Sequence, residues 1–311
     1  MTMRALGSGL VACVLAVAAV GCGSDGKGGA DKAGADLKPG VLSGFSTPES
    51  VLVVGDGYFV SNVGAAVEPV TKDGDGFLSR LDGTGKVTAA KAIPRAGDPP
   101  LNAPKGMAFA DNKIFVADID RVVGYDIDSL GQVFEAPIGG DAPTLLNDIA
   151  VLDDKTLLVT DTLRGSVYKL GIEDKKFGTL TTGVAGANGV VVDTSGKIAY
   201  VAANGAKFEG GDLFQLDLGR TPVIPKRIGT LHGVYDGIAL LPNGNLVVSD
   251  WVSSDNPVPG AVTVYQTDGT EVSKVQLPGT PSGTADFTLD KSGKYLLIPA
   301  MPENKIVIVA V

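Results

Sequence analysis

From residue 49 onward the chain alternates apolar and polar positions in short runs, interrupted every few residues by Asp, Asn or Gly. Successive side chains on an extended backbone point to opposite faces, so a period of two predicts strands, and the interruptions predict turns. The runs repeat as six segments. Each opens on a polar residue, continues with alternating apolar residues, turns, and enters a second strand that ends on a small or polar residue. Glu49-Ser50-Val51 leads to Val60-Ser61-Asn62, and Lys105-Gly106-Met107 leads to Val116-Ala117-Asp118. Asn147-Asp148-Ile149 leads to Val159-Thr160-Asp161, and Asn188-Gly189-Val190 to Val201-Ala202-Ala203. Asp236-Gly237-Ile238 leads to Val248-Ser249-Asp250, and Asp286-Phe287-Thr288 to Ile298-Pro299-Ala300.

Third strands follow, such as Phe77-Leu78-Ser79-Arg80-Leu81, Ser166-Val167-Tyr168-Lys169-Leu170 and Lys305-Ile306-Val307-Ile308-Val309. The spacing between heads, 41 to 56 residues, suits one four-stranded blade per unit. The sixth unit reaches Val311 after three strands, and residues 41–45 are free to supply its fourth. Ends tied in this way leave no open sheet edge at the junction. The expected fold is all-β, a six-bladed β-propeller over residues 41–311 with an N-terminal strand completing the last blade. A pair of β-sandwiches would not account for six aligned units.

Composition agrees with many strands and turns: of 311 residues 44% are hydrophobic, and there are 43 Gly and 18 Pro. With 26 basic and 35 acidic residues the net charge is −9, which argues against a nucleic-acid partner. His232 is the only histidine, so chemistry needing two imidazoles is excluded.

The first 40 residues read differently. Arg4 precedes an apolar run over residues 5–20, a secretory signal too short to span a membrane comfortably. Ala19-Val20-Gly21-Cys22 resembles the lipobox of bacterial lipoproteins, with Ala19 where that pattern usually has Leu. The expectation is a signal peptide over residues 1–21, a lipidated Cys22, and a flexible Gly-rich and polar linker over the remainder of 22–40. The mature chain would then keep no second thiol for a disulfide or for cysteine catalysis. It would be exported and held at the cell envelope by lipid alone. Gly23 rather than Asp after the lipidated Cys resembles an outer-membrane destination in a host with two membranes, facing the periplasm. The domain is read as a monomer.

In a propeller the first strand of each blade lines a central channel, so the six heads should converge there: Glu49, Lys105, Asn147, Asn188, Asp236 and Asp286. Carboxylate and amide oxygens are hard ligands suited to Ca2+ or Mg2+, and three acids in one channel repel unless a cation or a bound proton offsets them. Water alone could also satisfy such groups. The units resemble the senescence marker protein/gluconolactonase family, also called regucalcin-like, over about residues 41–311. The resemblance implies that Glu49, Asn147, Asn188 and Asp236 hold a divalent cation, commonly Ca2+. It also implies hydrolysis of sugar lactones, with Asp236 as ligand and base, and Lys105 orienting substrate or offsetting oxyanion charge. The sequence departs from the family in having Lys105 where an Arg is common and Glu49-Ser50-Val51 where Glu-Gly-Pro is common.

Smaller signals add little chemistry. Residues 72–76 look like the start of a calcium loop, but Phe77, Leu78 and Thr84 break the EF-hand pattern, so a surface turn is expected. Residues 21–28 lack the final Ser/Thr of a P-loop, and no G-x-S-x-G elbow occurs. His232, four residues before Asp236, is a candidate channel or rim acid-base group, whereas Asp118, Asp161 and Asp250 are expected to bind turn backbone. Trp251 is expected to pack against a neighbouring blade or to stack on a ligand, and residues 206–211 and 253–260 to form rim loops. Two functions follow: an envelope-anchored, metal-dependent lactone or ester hydrolase, or a propeller that binds a small ligand or protein without turnover. A quinone-dependent oxidoreductase would need basic and aromatic cofactor contacts that are not identifiable.

Overall fold

A computed structural model describes residues 37–311. The predicted signal, Cys22 and most of the linker lie outside the described residues. Among those described, 24 strands form six four-stranded antiparallel sheets, and the helical content is one 3-10 turn, Met301–Glu303. The inner strands are Pro48–Val54, Pro104–Ala110, Leu146–Asp153, Ala187–Val192, Tyr235–Leu240 and the short Thr288–Leu289. Each expected unit is one blade of a six-bladed propeller.

The sixth blade is completed as expected by the N-terminal segment. Strand Gly40–Ser43 pairs antiparallel with Lys305–Ala310, from Gly40 opposite Ile308 to Ser43 opposite Lys305. The strand stops earlier than the expected residue 45 because Gly44 takes φ +98°, a conformation that only glycine adopts readily. Phe45 then turns inward and is buried.

Blades adhere through apolar layers between consecutive sheets, because both faces of the middle strands are covered. Phe115, Ala117, Val122 and Phe134 of blade two pack with Leu146, Ile149, Leu157 and Val159 of blade three. The ring closes in the same way, with Val51, Tyr58 and Val60 of blade one against Leu297, Ile306 and Ile308 of blade six. This double burial explains why the second strands read as nearly continuous apolar runs. The outer strands are more exposed, and Glu271–Lys274 is exposed along its whole length.

The acidic ends of the second strands bind backbone, as expected. Asp118 accepts from the N–H groups of Asn102 and Ala103, at 3.0 and 2.9 Å, and from Arg121. Asp161 accepts from Leu145 and Arg164 N–H, and Asp250 from Val234 and Val252 N–H. In each case the carboxylate pins the residues just before its own inner strand, which sets where that strand's head enters the channel.

Candidate functional site

Five inner strands carry one extra residue at the same place. Pairing jumps between Pro48 and Val51, Pro104 and Met107, Leu146 and Ile149, Ala187 and Val190, and Tyr235 and Ile238, while the partner strand advances one residue fewer. These are β-bulges, which re-aim side chains and interrupt the ladder. The first residue of each bulge is a predicted head: Glu49, Lys105, Asn147, Asn188 and Asp236. All five line one cavity of about 320 Å3.

The local sequence supports the bulges. A bulge leaves an N–H without a ladder partner, and the second strand provides a hydroxyl for it in three blades. Ser61 accepts from Ser50 N–H, Thr160 from Asp148 N–H and Ser249 from Gly237 N–H, at 2.9, 2.9 and 2.8 Å. In blades two, four and five the second bulge residue is Gly because the next inner strand passes close by. A Cβ at Gly189 would lie 2.3 Å from the backbone oxygen of Asp236 and 2.9 Å from Ile238 N. Gly189→Ala is therefore expected to destabilise the fold by about 1–3 kcal/mol, read as a lower urea midpoint. The Asn-Gly and Asp-Gly pairs thus reflect blade packing as well as site chemistry.

The cavity is distinguished by unpaired acceptors. Six buried side-chain polar atoms among the described residues have no hydrogen-bond partner, and five of them belong to residues of this cavity: Glu49 Oε2, Asn147 Oδ1, Asn188 Oδ1, Asn204 Oδ1 and Asp236 Oδ1. The sixth, Tyr125 OH, lies in an apolar cluster between blades one and two. Two other hollows of about 700 Å3 contain no such atom. The orientations of the acceptors are held by neighbours. Asn147 Nδ2 donates to Thr162 Oγ1 at 3.0 Å, and that hydroxyl donates to Ala187 O at 2.8 Å, so the amide oxygen is left free. The Trp251 indole donates to Asp236 Oδ2 at 2.7 Å and leaves Oδ1 free. Trp251 also packs on the apolar cluster of Val63, Ala103, Ile119, Ala285 and Met301.

Burial raises the acids. It pushes Asp236 up to about 7, with the Asp286 charge adding to the rise, while Trp251, Asn188 and Lys105 favour the ionised form. Glu49 is held well above the usual carboxylate range by burial, then by Asp236 and Asp286. Lys105, 2% exposed, donates to Pro69 O and Ala103 O, both at 2.8 Å, and burial lowers its ammonium to about 8.

The remaining candidates separate from this group. Asp286 is buried but does not line the cavity; it accepts from Ser50 Oγ at 2.5 Å, and burial raises it to about 6. His232 also does not line the cavity. Its side chain is 61% exposed, with Nδ1 3.3 Å from Asp212 Oδ1. Residues Lys207, Phe208, Ser254 and Asp255 bring both expected rim loops to the cavity, and Asp75 of the 72–76 turn accepts from Ala65 N–H instead of forming a calcium loop.

Sequence reasoning missed two residues. Asn204 directly follows the second strand Ile198–Ala203, at the place that Thr162 and Trp251 hold in their own blades. That equivalence was the available signal. Asp148, the second residue of its bulge, is buried and accepts from Ile149 N–H and Val190 N–H, both at 2.7 Å, tying blade three to blade four.

No protein-family model and no curated protein matches the chain. Among solved structures it is similar to Kuenenia stuttgartiensis hydrazine synthase, with a TM-score of 0.58 and 15% identity over 91% of this chain and 80% of that one. The likeness is one of fold. The regucalcin-like resemblance accordingly rests on the sequence motifs alone.

Among the described residues no three His, Cys, Asp or Glu side chains come together as a metal-binding group. The acceptor set is of another kind, two carboxylates and three amide oxygens, which suits a hard cation rather than Zn2+ or Cu2+.

Proposed function

We propose that the propeller binds a divalent cation of the Ca2+ type in its channel and uses that site to take, and hydrolyse, a small lactone or ester. The observation that carries this reading is the set of five buried oxygens without a donor around one cavity. Buried acceptors are ordinarily paired, and a cation offsets both their desolvation and the mutual repulsion of Glu49 and Asp236. Glu49, Asn147, Asn188 and Asp236 would hold the ion, with Asn204 as a further oxygen. When bound, the ion supplies polarisation of a carbonyl.

In hydrolysis the oxygen of water bonds to the acyl carbon, the acyl carbon to ring-oxygen bond breaks, and the ring oxygen takes the proton that water releases. Lys105 engages two of its three ammonium protons with backbone, so one is left to donate to the departing oxygen. Asp236 Oδ1 is the acceptor available for the proton of water. The same proposal keeps the chain at the cell envelope, held by the lipid that the sequence predicts on Cys22.

Binding without turnover is favoured by one feature. Asp236 has a single free oxygen, since Trp251 engages the other, so the roles of ligand and base fall on the same atom. The test is a calorimetric titration of the full chain with CaCl2 followed by acid release from small lactones in a pH-stat. One ion per chain with Ca2+-dependent acid release supports the hydrolase. One ion without acid release leaves a binding protein. A folded chain that takes up no Ca2+ overturns the proposal.

A further inference from the structure

Apart from the oxygens and Lys105, the cavity wall is largely apolar, with Pro69, Leu145, Phe208, Val234, Trp251 and Met301. Several polar groups on this wall already have partners, and the five free oxygens are the ones assigned above to the cation. The Trp251 N–H serves Asp236, Ser254 Oγ donates to Phe208 O at 2.9 Å, and two of the three Lys105 protons go to backbone carbonyls. Asn147 Nδ2 is engaged by Thr162. The other polar wall groups are the amides of Asn188 and Asn204, beside the acceptor set, and Lys207 and Asp255, which are exposed at the rim.

A ring that carries a hydroxyl on every carbon needs a partner for each one it buries. Each hydroxyl left without a partner lowers affinity by about tenfold. An apolar body has no such requirement and gains from leaving water. The cavity, about 320 Å3, lies at the small end of ligand pockets and suits one ring with a short tail. Phe208 is held at this wall with φ 62°, a left-handed backbone that a bulky residue adopts only when its surroundings impose it.

We infer that the cavity selects lactones or esters with an apolar aliphatic or aromatic body over polyhydroxylated sugar lactones. This rests on the cavity being the ligand site proposed above, and it names the substrate class of that site.

The test compares γ-octalactone with ribonolactone, which share a five-membered lactone ring and differ in the body attached to it. Binding of each to the full chain is measured by calorimetry in excess CaCl2. The expected result is at least about tenfold tighter binding of γ-octalactone. Phe208→Ser and Val67→Asn, the latter at a wall residue already 47% exposed, should each weaken γ-octalactone more than ribonolactone, with folding checked by melting. Equal or tighter binding of ribonolactone, or binding of neither, overturns the inference. Ca2+ uptake is read in a separate titration of the same samples. Uptake with a preference for ribonolactone would strike the substrate class and spare the cation site, whereas γ-octalactone preference without uptake would do the reverse.

Discussion

Asp236→Ala is expected to lower Ca2+ affinity by about 100-fold or more, beyond the roughly 10- to 100-fold that loss of a supporting neighbour costs. Only Glu49 and Asp236 among the five acceptors bring formal charge, and Asp236 Oδ1 is one of the oxygens that no protein donor reaches. Trp251→Phe keeps an aromatic side chain, though a smaller one, and removes the N–H that donates to Asp236 at 2.7 Å, so its loss should fall near tenfold. Asp56→Ala, at a side chain 96% exposed in the turn between the first two strands of blade one, should leave the titration unchanged. Calorimetry on the three full-length variants separates these cases. Full affinity in a folded Asp236→Ala chain would remove the channel from consideration as the cation site.

In the presence of EDTA the fold is expected to be more stable at pH 5 than at pH 7.5, the reverse of a protein stabilised by paired carboxylates. The sign follows from linkage. Asp236 and Asp286 titrate near 7 and 6 in the folded chain against 3.8 in its absence, so between about 4 and 7 the folded state binds more protons than the unfolded one. Stability therefore falls as pH rises through that window, and Glu49 and Asp148, also raised, act in the same direction. Lys105, lowered from 10.5 to about 8, has the opposite effect at higher pH. Ca2+ at 100 times its dissociation constant should restore about 2.7 kcal/mol, mostly where the acids are ionised. Asp286→Asn should flatten the EDTA profile, since Ser50 Oγ can donate to an amide oxygen in place of the carboxylate. Melting temperatures across pH with and without Ca2+ test this. An EDTA profile that rises between pH 5 and 7.5 would show that these buried acids do not control it.

The heads were readable because each is a polar residue opening an alternating apolar run, a pattern that sits within a few residues of chain. Their sharing one cavity was inferable from six repeats closing into a ring. Asn204 was not found because it falls one residue past the strand end at which its unit was read. His232 stands four residues from Asp236, yet nearness along an extended chain does not bring a side chain into the channel, and its imidazole faces Asp212 at the rim. Trp251 could be read as a packing residue, but its donation to Asp236 depends on where two strands of blade five meet.

Alternation, turn residues and the missing fourth strand of the last unit are properties of local sequence, and they determined the propeller and its closure by Gly40–Ser43. Tertiary structure decided the rest. A bulge is a mismatch between two strands, so the shared position of Glu49, Lys105, Asn147, Asn188 and Asp236 appears only once partners are paired. An acceptor is unpaired only after donors from every neighbouring blade have been placed. That is why the five free oxygens, the residues that orient them and the apolar wall beside them emerge from the assembled ring and not from any one segment.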